Sequence, residues 1–108
     1  MKIYISGKIT GDDNYYFKFL QAECAIVSRE VEKGRERTYQ TCRFLNPAHL
    51  PEGLSTADYM RINFAMIDVA DVVYFLPDWT DSEGAKLERA YCEYIGKAIE
   101  DLKEEDLK

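Results

Sequence analysis

Glu88 has the position in the sequence that best suits a chemical role. In the helix predicted over residues 83–95, a turn of about 100° per residue places most apolar side chains on one side. Glu88 falls beside Ile95 at the edge of this apolar side, away from the other charged residues of the helix. A partly buried carboxylate near a helix N-terminus suits a nucleophile or general base. Burial would raise its pKa and the helix N-terminus would lower it. The pattern also fits an edge glutamate paired with a lysine or arginine.

Asn63 is a second polar residue that interrupts an apolar face. In the helix predicted from Ser55 to about Ala70, it falls in the middle of the apolar arc. A buried amide must find hydrogen-bond partners or cost roughly 1–3 kcal/mol. Asn63 could therefore hold a ligand or a loop backbone group, and a satisfied core asparagine fits the pattern equally well.

The loops that follow the predicted strands carry further candidates. Gly7 to Gly11 lies between a strand and a helix, where glycines let backbone N–H groups approach an anion. Its spacing matches neither of the common phosphate-binding loops, and a plain tight turn is the other interpretation. Ser82 and Gly84 offer a hydroxyl and a bare backbone, or simply an N-cap and a helix start. Trp79 could stack on a flat ring or cover the edge of the sheet.

Composition and charge exclude several classes of function. Three separated cysteines and one histidine give no pattern typical of a zinc site, and we expect no metal. A net charge of -6 argues against binding to a nucleic acid polymer or an anionic membrane surface. No apolar run approaches the roughly 20 residues of a membrane span, and the N-terminus does not resemble a signal peptide. We therefore expect a cytoplasmic protein with reduced thiols.

The elements that position these residues alternate between strands and helices. This order predicts an α/β fold with a parallel sheet covered by helices on both faces, and a ligand site beyond the carboxyl ends of the strands. Asp12 or Asp13 could cap the first helix, whose aromatic residues Tyr15, Tyr16, Phe17 and Phe19 are interpreted mainly as core or subunit contacts. We expect one domain over residues 1–102 and a charged tail over residues 103–108. The predicted strands are Lys2–Ser6, Thr41–Leu45, Asp71–Leu76 and a last edge strand over Lys97–Leu102. The predicted helices are about Asn14–Lys33, Ser55–Ala70 and Glu83–Ile95.

Four motifs together resemble a known superfamily. They are Tyr4-Ile5-Ser6-Gly7-Lys8-Ile9-Thr10-Gly11, Asn46-Pro47-Ala48, Ala70-Asp71-Val72-Val73 and Trp79-x-x-Ser82-x-Gly84-Ala85-x-x-Glu88. Over about the first 100 residues the chain resembles the nucleoside 2-deoxyribosyltransferase-like superfamily, most closely a small branch known only as a domain of unknown function. Better-understood relatives are deoxyribosyltransferases and 2′-deoxynucleoside 5′-monophosphate N-glycosidases. The resemblance implies a flavodoxin-like three-layer sandwich with a four- to five-stranded parallel sheet, assembled as a homo-oligomer.

The resemblance also implies roles for individual residues. Glu88 matches the glutamate that attacks the anomeric carbon of the sugar, after which water or a second base resolves the glycosyl-enzyme. Ser82 and Gly84 match residues that hold a 5′-phosphate. No metal or organic cofactor is needed for this chemistry. The residues that match the loop around the sugar and base are Tyr4, Gly7, Lys8, Ile9, Thr10 and Gly11.

Two residues depart from the pattern of the superfamily. Asn63 stands where the relatives carry an aspartate that helps to protonate the leaving base or to bind the sugar, and an amide cannot act as a general acid. Lys86 stands where the hydrolases have glycine. Three hypotheses follow: an N-glycosidase or transferase acting on a nucleoside or its 5′-monophosphate, a nucleotide-binding module without turnover, and a vestigial subunit of an assembly.

Overall fold

The computed structural model describes residues 1–37 and 39–107. Within these residues the chain forms one sheet of parallel strands and three α-helices, with short 3-10 turns between them. The strands are β1 (Lys2–Ser6), β2 (Arg43–Leu45), β3 (Val72–Phe75) and β4 (Ile99–Asp101). The helices are α1 (Tyr15–Glu32), α2 (Thr56–Val69) and α3 (Glu83–Ile95).

The strand order β2-β1-β3-β4 places β1 and β3 at the centre of the sheet. Strand β1 pairs with β2 through Tyr4 and Leu45, and with β3 through Tyr4 and Val73. Strand β4 lies at an edge, as the sequence predicts. All of these pairings are parallel, which confirms the α/β prediction.

Side chains alternate between the two faces of the sheet and build two separate cores. Ile3 and Ile5 of β1 pack with Phe19 and Ile26 of α1 on one face. Tyr4 points to the opposite face, where it joins a core that includes Ile67 of α2. This alternation is the period of two that a strand covered on both faces requires. The result is a three-layer sandwich consistent with a flavodoxin-like fold.

The helix ends are explained mostly by local signals. Ser55 and Asp58 form the predicted capping box at the start of α2. Gly96 ends α3 with a φ of 74°, a left-handed conformation that glycine adopts without strain. The expected cap of α1 by Asp12 or Asp13 is wrong, because Asn14 is the N-cap and makes no side-chain capping bond. Asp12 instead accepts the N–H of Asn14, just before the helix.

Several predicted boundaries shift because 3-10 turns replace strand ends or loops. Strand β2 begins at Arg43 because residues up to Thr41 form the turn Tyr39–Thr41. Strand β3 is one residue shorter at each end than predicted. The loop after it contains a 3-10 turn over Pro77–Asp81. The tail forms a short 3-10 turn over Glu104–Leu107, and Lys108 lies outside the described residues.

Candidate active site

A cavity of about 630 Å³ opens beyond the carboxyl end of β1, between α2 and the start of α3. This volume suits a small-molecule ligand. The position is the one that the parallel topology predicts, since loops after β1, β2 and β3 all contribute to its walls. Eight of the residues singled out in the sequence line it: Tyr4, Gly7, Ile9, Thr10, Asn63, Ser82, Gly84 and Glu88.

The Glu88 carboxylate is buried in the wall of the cavity, and the side chain is only 5% exposed. Its Oε1 accepts hydrogen bonds from the Tyr4 hydroxyl at 3.0 Å and from the Ser6 hydroxyl at 2.7 Å. Its Oε2 accepts one from the Nδ2 of Asn63 at 3.3 Å. Three neutral donors therefore orient the carboxylate, and the helix periodicity was right to separate Glu88 from the solvent face.

Each of these donors is positioned by the regular structure around it. Tyr4 and Ser6 are two residues apart on β1, so both side chains leave the same face of the sheet. That face is the one covered by α2 and α3. Asn63 is buried on α2, in agreement with its place in the apolar arc. The three elements meet at Glu88 because the sandwich packs both helices against the face from which Tyr4 emerges.

Burial sets the proton affinities in this cluster. Burial raises the pKa of Glu88, although the hydrogen bonds from Ser6, Tyr4 and Asn63 oppose this effect. Burial, followed by the neighbouring Glu88 carboxylate, raises the pKa of Tyr4 well above its ordinary value, so Tyr4 remains a donor. The same two causes raise the pKa of Cys92 to about 11, which keeps this buried thiol protonated and unreactive.

Asn63 has a side-chain oxygen for which the described residues supply no hydrogen-bond donor. Its Oδ1 is buried and has no hydrogen-bond partner among the described residues. Its Nδ2 donates to Glu88, so the amide has an unused acceptor at the wall of the cavity. An unsatisfied buried acceptor of this kind costs roughly 1–3 kcal/mol.

Ser82 and Gly84 open α3 beside the cavity. The Ser82 hydroxyl accepts the N–H of Ala85 at 3.1 Å, so the N-cap interpretation is confirmed. A Cβ placed on Gly84 would meet Met60 Sδ only at 3.9 Å, which is ordinary contact. The protein therefore leaves room at Gly84, and its backbone faces the cavity.

The loop after β1 enters the cavity in part. Gly7, Ile9 and Thr10 line the cavity, whereas Lys8 and Gly11 do not. The Nζ of Lys8 instead lies 2.7 Å from Oδ2 of Asp81. Gly11 adopts a φ of 83°, which explains the glycine by the turn itself.

Packing explains why a glycine stands at position 7, and this explanation differs from the expected approach of its backbone to an anion. A Cβ on Gly7 would lie 2.5 Å from Cδ1 of Leu76, at the end of the neighbouring strand. The close approach is between two parts of the sheet, so this glycine is required by the fold. The prediction that Gly7 lies in the site is compatible with this role, because its backbone still lines the cavity.

Trp79 packs against side chains of the protein outside the cavity. Its ring packs against Phe75 at a centroid distance of 5.9 Å, and the Arg89 guanidinium lies 4.5 Å from its centroid. Trp79 does not line the cavity. These contacts agree with the interpretation of Trp79 as a cover over the edge of the sheet, and its contact with a ligand stays a prediction.

Several lining residues were missed by sequence reasoning. Tyr15 was expected in the core or at a subunit contact, yet it lines the cavity. Tyr59 also lines it, and its hydroxyl donates to the carbonyl of Pro51 at 2.7 Å. Ser6 does not line the cavity but contacts Glu88, and the sequence placed it in a strand and in the first motif without a site role. The signal for Ser6 was available, because it lies two residues after Tyr4 and is a polar residue within the buried part of the strand.

Two classes of site are not seen in the described part of the chain. Residues 1–37 and 39–107 contain no group of three or more His, Cys, Asp and Glu side chains that could hold a metal ion. Among the same residues, none of the helices combines the length and apolar character that crossing a bilayer requires.

Comparison with known proteins gives one match. A family model described as a domain of unknown function, DUF4406, matches residues 1–101. No curated protein and no solved structure matches the chain at the significance threshold. The matched region includes all four strands, the three helices and the residues around Glu88. This protein therefore belongs to the DUF4406 family of domains of unknown function.

Proposed function

We propose that this protein cleaves the N-glycosidic bond of a deoxynucleoside-type substrate, or transfers the sugar to a second base, with Glu88 as the nucleophile. The observation that carries the proposal is the buried Glu88 carboxylate, held by Tyr4, Ser6 and Asn63 in the wall of a cavity. The resemblance of four sequence motifs to the nucleoside 2-deoxyribosyltransferase-like superfamily supports the same chemistry.

The chemistry consists of two displacements at the anomeric carbon. An oxygen of Glu88 forms a bond to this carbon while the bond to the base nitrogen breaks, and the electron pair leaves with the base. Water then adds its hydroxyl to the sugar carbon and restores the carboxylate; in a transfer, the nitrogen of a second base takes the place of water. In hydrolysis, the proton released from water balances the proton gained by the departing base.

The hydrogen bonds assign different roles to the two oxygens of Glu88. Oε1 accepts two hydroxyl donors, which hold the carboxylate in place. Oε2 accepts only the longer bond from Asn63 and is therefore the better candidate for the attacking atom. Because Asn63 cannot donate a proton as an acid, its role is to orient the sugar or the base.

The remaining walls suit a flat base. Apolar and aromatic side chains supply a surface on which a purine or pyrimidine could pack. The residues that form this apolar surface are Ile9, Tyr15, Leu50, Tyr59 and Met60.

A nucleotide-binding module without turnover is the second candidate function. Asn63 favours it, because the amide replaces the acid that the resemblance implies, and general acid catalysis is typically worth about 10²–10⁴-fold. A vestigial subunit of an assembly is the third candidate. Binding of a ligand separates the module from the vestigial subunit, and release of a base separates the enzyme from both.

Assembly and location complete the proposal. We propose a homo-oligomer in the cytoplasm. On α3, Leu87 is 58% exposed and Tyr94 is 90% exposed, and seven residues separate them along one side of the helix. A second copy would cover this surface. Sedimentation of the protein at several concentrations tests the assembly, and a mass of one chain at all of them would contradict it.

The test of the proposed function is release of free base, measured by chromatography. The protein is incubated with deoxyadenosine, deoxyguanosine, deoxycytidine and thymidine and with their 5′-monophosphates. The wild type should release base, and Glu88→Gln should lose about 10⁴-fold or more of that activity. Glu93→Gln is the matched control, because Glu93 is an exposed glutamate of the same helix. Ligand binding without release would favour the module, and neither would favour the vestigial subunit.

A further inference from the structure

The charges around the cavity indicate which form of the substrate it takes. We infer that the site selects an unphosphorylated nucleoside over the corresponding 5′-monophosphate. This inference rests on the proposed function and narrows its substrate class. It also changes the role of Ser82 and Gly84, which would contact a neutral 5′-hydroxyl rather than the phosphate that the resemblance implies.

Among the described residues that line the cavity, every side chain that carries a formal charge at pH 7 is a carboxylate. The lining contains Glu52, Asp81, Glu83 and Glu88, and no lysine, arginine or histidine. A phosphate monoester carries a charge of about −1.5 to −2 at pH 7. Bringing it beside several carboxylates is unfavourable without a compensating cation, whereas a sugar hydroxyl can donate a hydrogen bond to a carboxylate.

The cations closest to these carboxylates are already paired. The Nζ of Lys8 lies 2.7 Å from Oδ2 of Asp81, and the Nζ of Lys86 lies 3.2 Å from Oε1 of Glu83. Lys18 pairs with Asp12 and Asp78 on the other side of the β1 loop. A phosphate would have to compete with a carboxylate for each of these ammonium groups.

The N-terminus of α3 does not reverse this balance. A helix N-terminus favours negative charge, and it would favour a phosphate if it were free of acidic side chains. The N–H of Ala85 already donates to the Ser82 hydroxyl, and the N–H of Lys86 donates to the Ser82 carbonyl. Glu83 lies in the first turn of α3 and Asp81 directly precedes its N-cap, so a phosphate at this end of the helix would approach two acidic residues.

Solvent limits the size of the expected preference. Asp81 is 74% exposed and Glu83 is 92% exposed at the side chain, so water and salt weaken their repulsion of a phosphate. At low ionic strength, we expect kcat/KM for the nucleoside to be about tenfold higher than kcat/KM for its 5′-monophosphate. The ratio should fall as salt is added, because the discrimination is electrostatic.

The experiment compares each deoxynucleoside with its own 5′-monophosphate. Base release gives kcat/KM for the wild type, and calorimetric titration of Glu88→Gln gives the affinity of both ligands without turnover. Asp81→Asn and Glu83→Gln remove the proposed repulsion, and Asp81→Asn also frees Lys8 from its partner. Glu93→Gln makes the same change of net charge away from the cavity and serves as the control.

The outcomes separate this inference from the proposed function. A nucleoside preference that narrows in Asp81→Asn and Glu83→Gln, but not in Glu93→Gln, supports both. Equal use of both ligands, preference for the monophosphate, or a nucleoside preference that these two variants leave unchanged overturns the inference while base release still supports the function. Absence of both binding and base release with every ligand overturns both.

Discussion

The hydroxyl of Ser6 donates a 2.7 Å hydrogen bond to Oε1 of Glu88 and so joins the end of β1 to α3 across 82 residues of chain. Tyr4, on the same face of β1, donates to the same oxygen. Because β1 lies at the centre of the sheet, the direction of the carboxylate is set by two side chains of a central strand. Glu88 thus belongs both to the core and to the cavity.

Ser6→Ala tests whether this bond positions the proposed nucleophile. A hydrogen bond to a charged group is worth about 1.5–3 kcal/mol, so we expect kcat to fall by about 10- to 100-fold with little change in KM. The acid limb of the pH profile should move to higher pH, because one donor that stabilises the carboxylate is lost. Ser28→Ala, on the exposed side of α1, is the control. A pH profile that does not move would contradict the positioning role.

Asn63→Asp tests whether the missing acid limits turnover. A carboxyl at this position can protonate the leaving base, and we expect kcat to rise by about 10²-fold or more. The Asn63 amide lies 3.3 Å from Glu88, so two carboxyls there would share a proton and titrate as a pair. The measurement is kcat against pH, which should become bell-shaped. Asn14→Asp, at the exposed start of α1, is the control, and unchanged turnover in Asn63→Asp would argue against the acid role.

The raised pKa of Glu88 makes the free energy of unfolding depend on pH. The folded state holds this proton to higher pH than the unfolded state does, so the Glu88 contribution is fully present below the unfolded carboxyl pKa, near 4.3. It decreases as the pH rises through the folded pKa. Each unit between the two pKa values is worth about 1.4 kcal/mol.

Glu88→Gln removes this dependence and should therefore gain stability relative to the wild type as the pH rises from about 4 to 8. After a rotation of the Asn63 amide, its Oδ1, which has no partner among the described residues, can accept a hydrogen bond from the side-chain N–H of the new glutamine. Urea unfolding at several pH values measures the difference. The exposed variant Glu93→Gln should follow the wild-type curve. A difference that stays constant with pH would show that Glu88 does not carry the effect.

Gly7→Ala tests the contact between the ends of β1 and β3. The new methyl group would lie 2.5 Å from Cδ1 and 2.9 Å from Cβ of Leu76, so one of the strands must shift. Overpacking of this kind costs about 1–3 kcal/mol, and thermal or urea unfolding measures it. Gly84→Ala is the matched control, because its nearest contact is at 3.9 Å. Equal stability of both variants would show that the sheet adapts at this point.

The sequence predicts Glu88 and Asn63 because each lies on a helix with one buried face. On such a helix, a single turn angle separates the core side from the solvent side, and polar residues on the core side become visible. The capping box of Ser55 and Asp58 is similarly local, since both partners lie within one turn. These features depend on spacing along the chain alone.

Other parts of the site depend on contacts between distant segments. The pairing of Lys8 with Asp81 joins the loop after β1 to the loop after β3, and no local pattern shows it. The contacts of Trp79 with Arg89 and Phe75 also join different elements, and no local pattern shows them. Tyr15 was predicted to be a core or subunit contact because the first helix carries several aromatic residues, yet it lines the cavity. In each case the packing between elements determines what the residue contacts, and the periodicity within one element does not predict that contact.

The segments around Glu88 also determine when the surroundings of its carboxylate can first form. Tyr4 and Ser6 lie near the start of the chain, Asn63 lies in its middle and Glu88 follows much later. During synthesis, β1 leaves the ribosome long before α3, so the carboxylate cannot meet its donors until nearly the whole domain has emerged. In an incomplete chain, water surrounds Glu88 and it behaves as an ordinary glutamate. The carboxylate therefore acquires its burial and its hydrogen bonds only when this long-range contact closes.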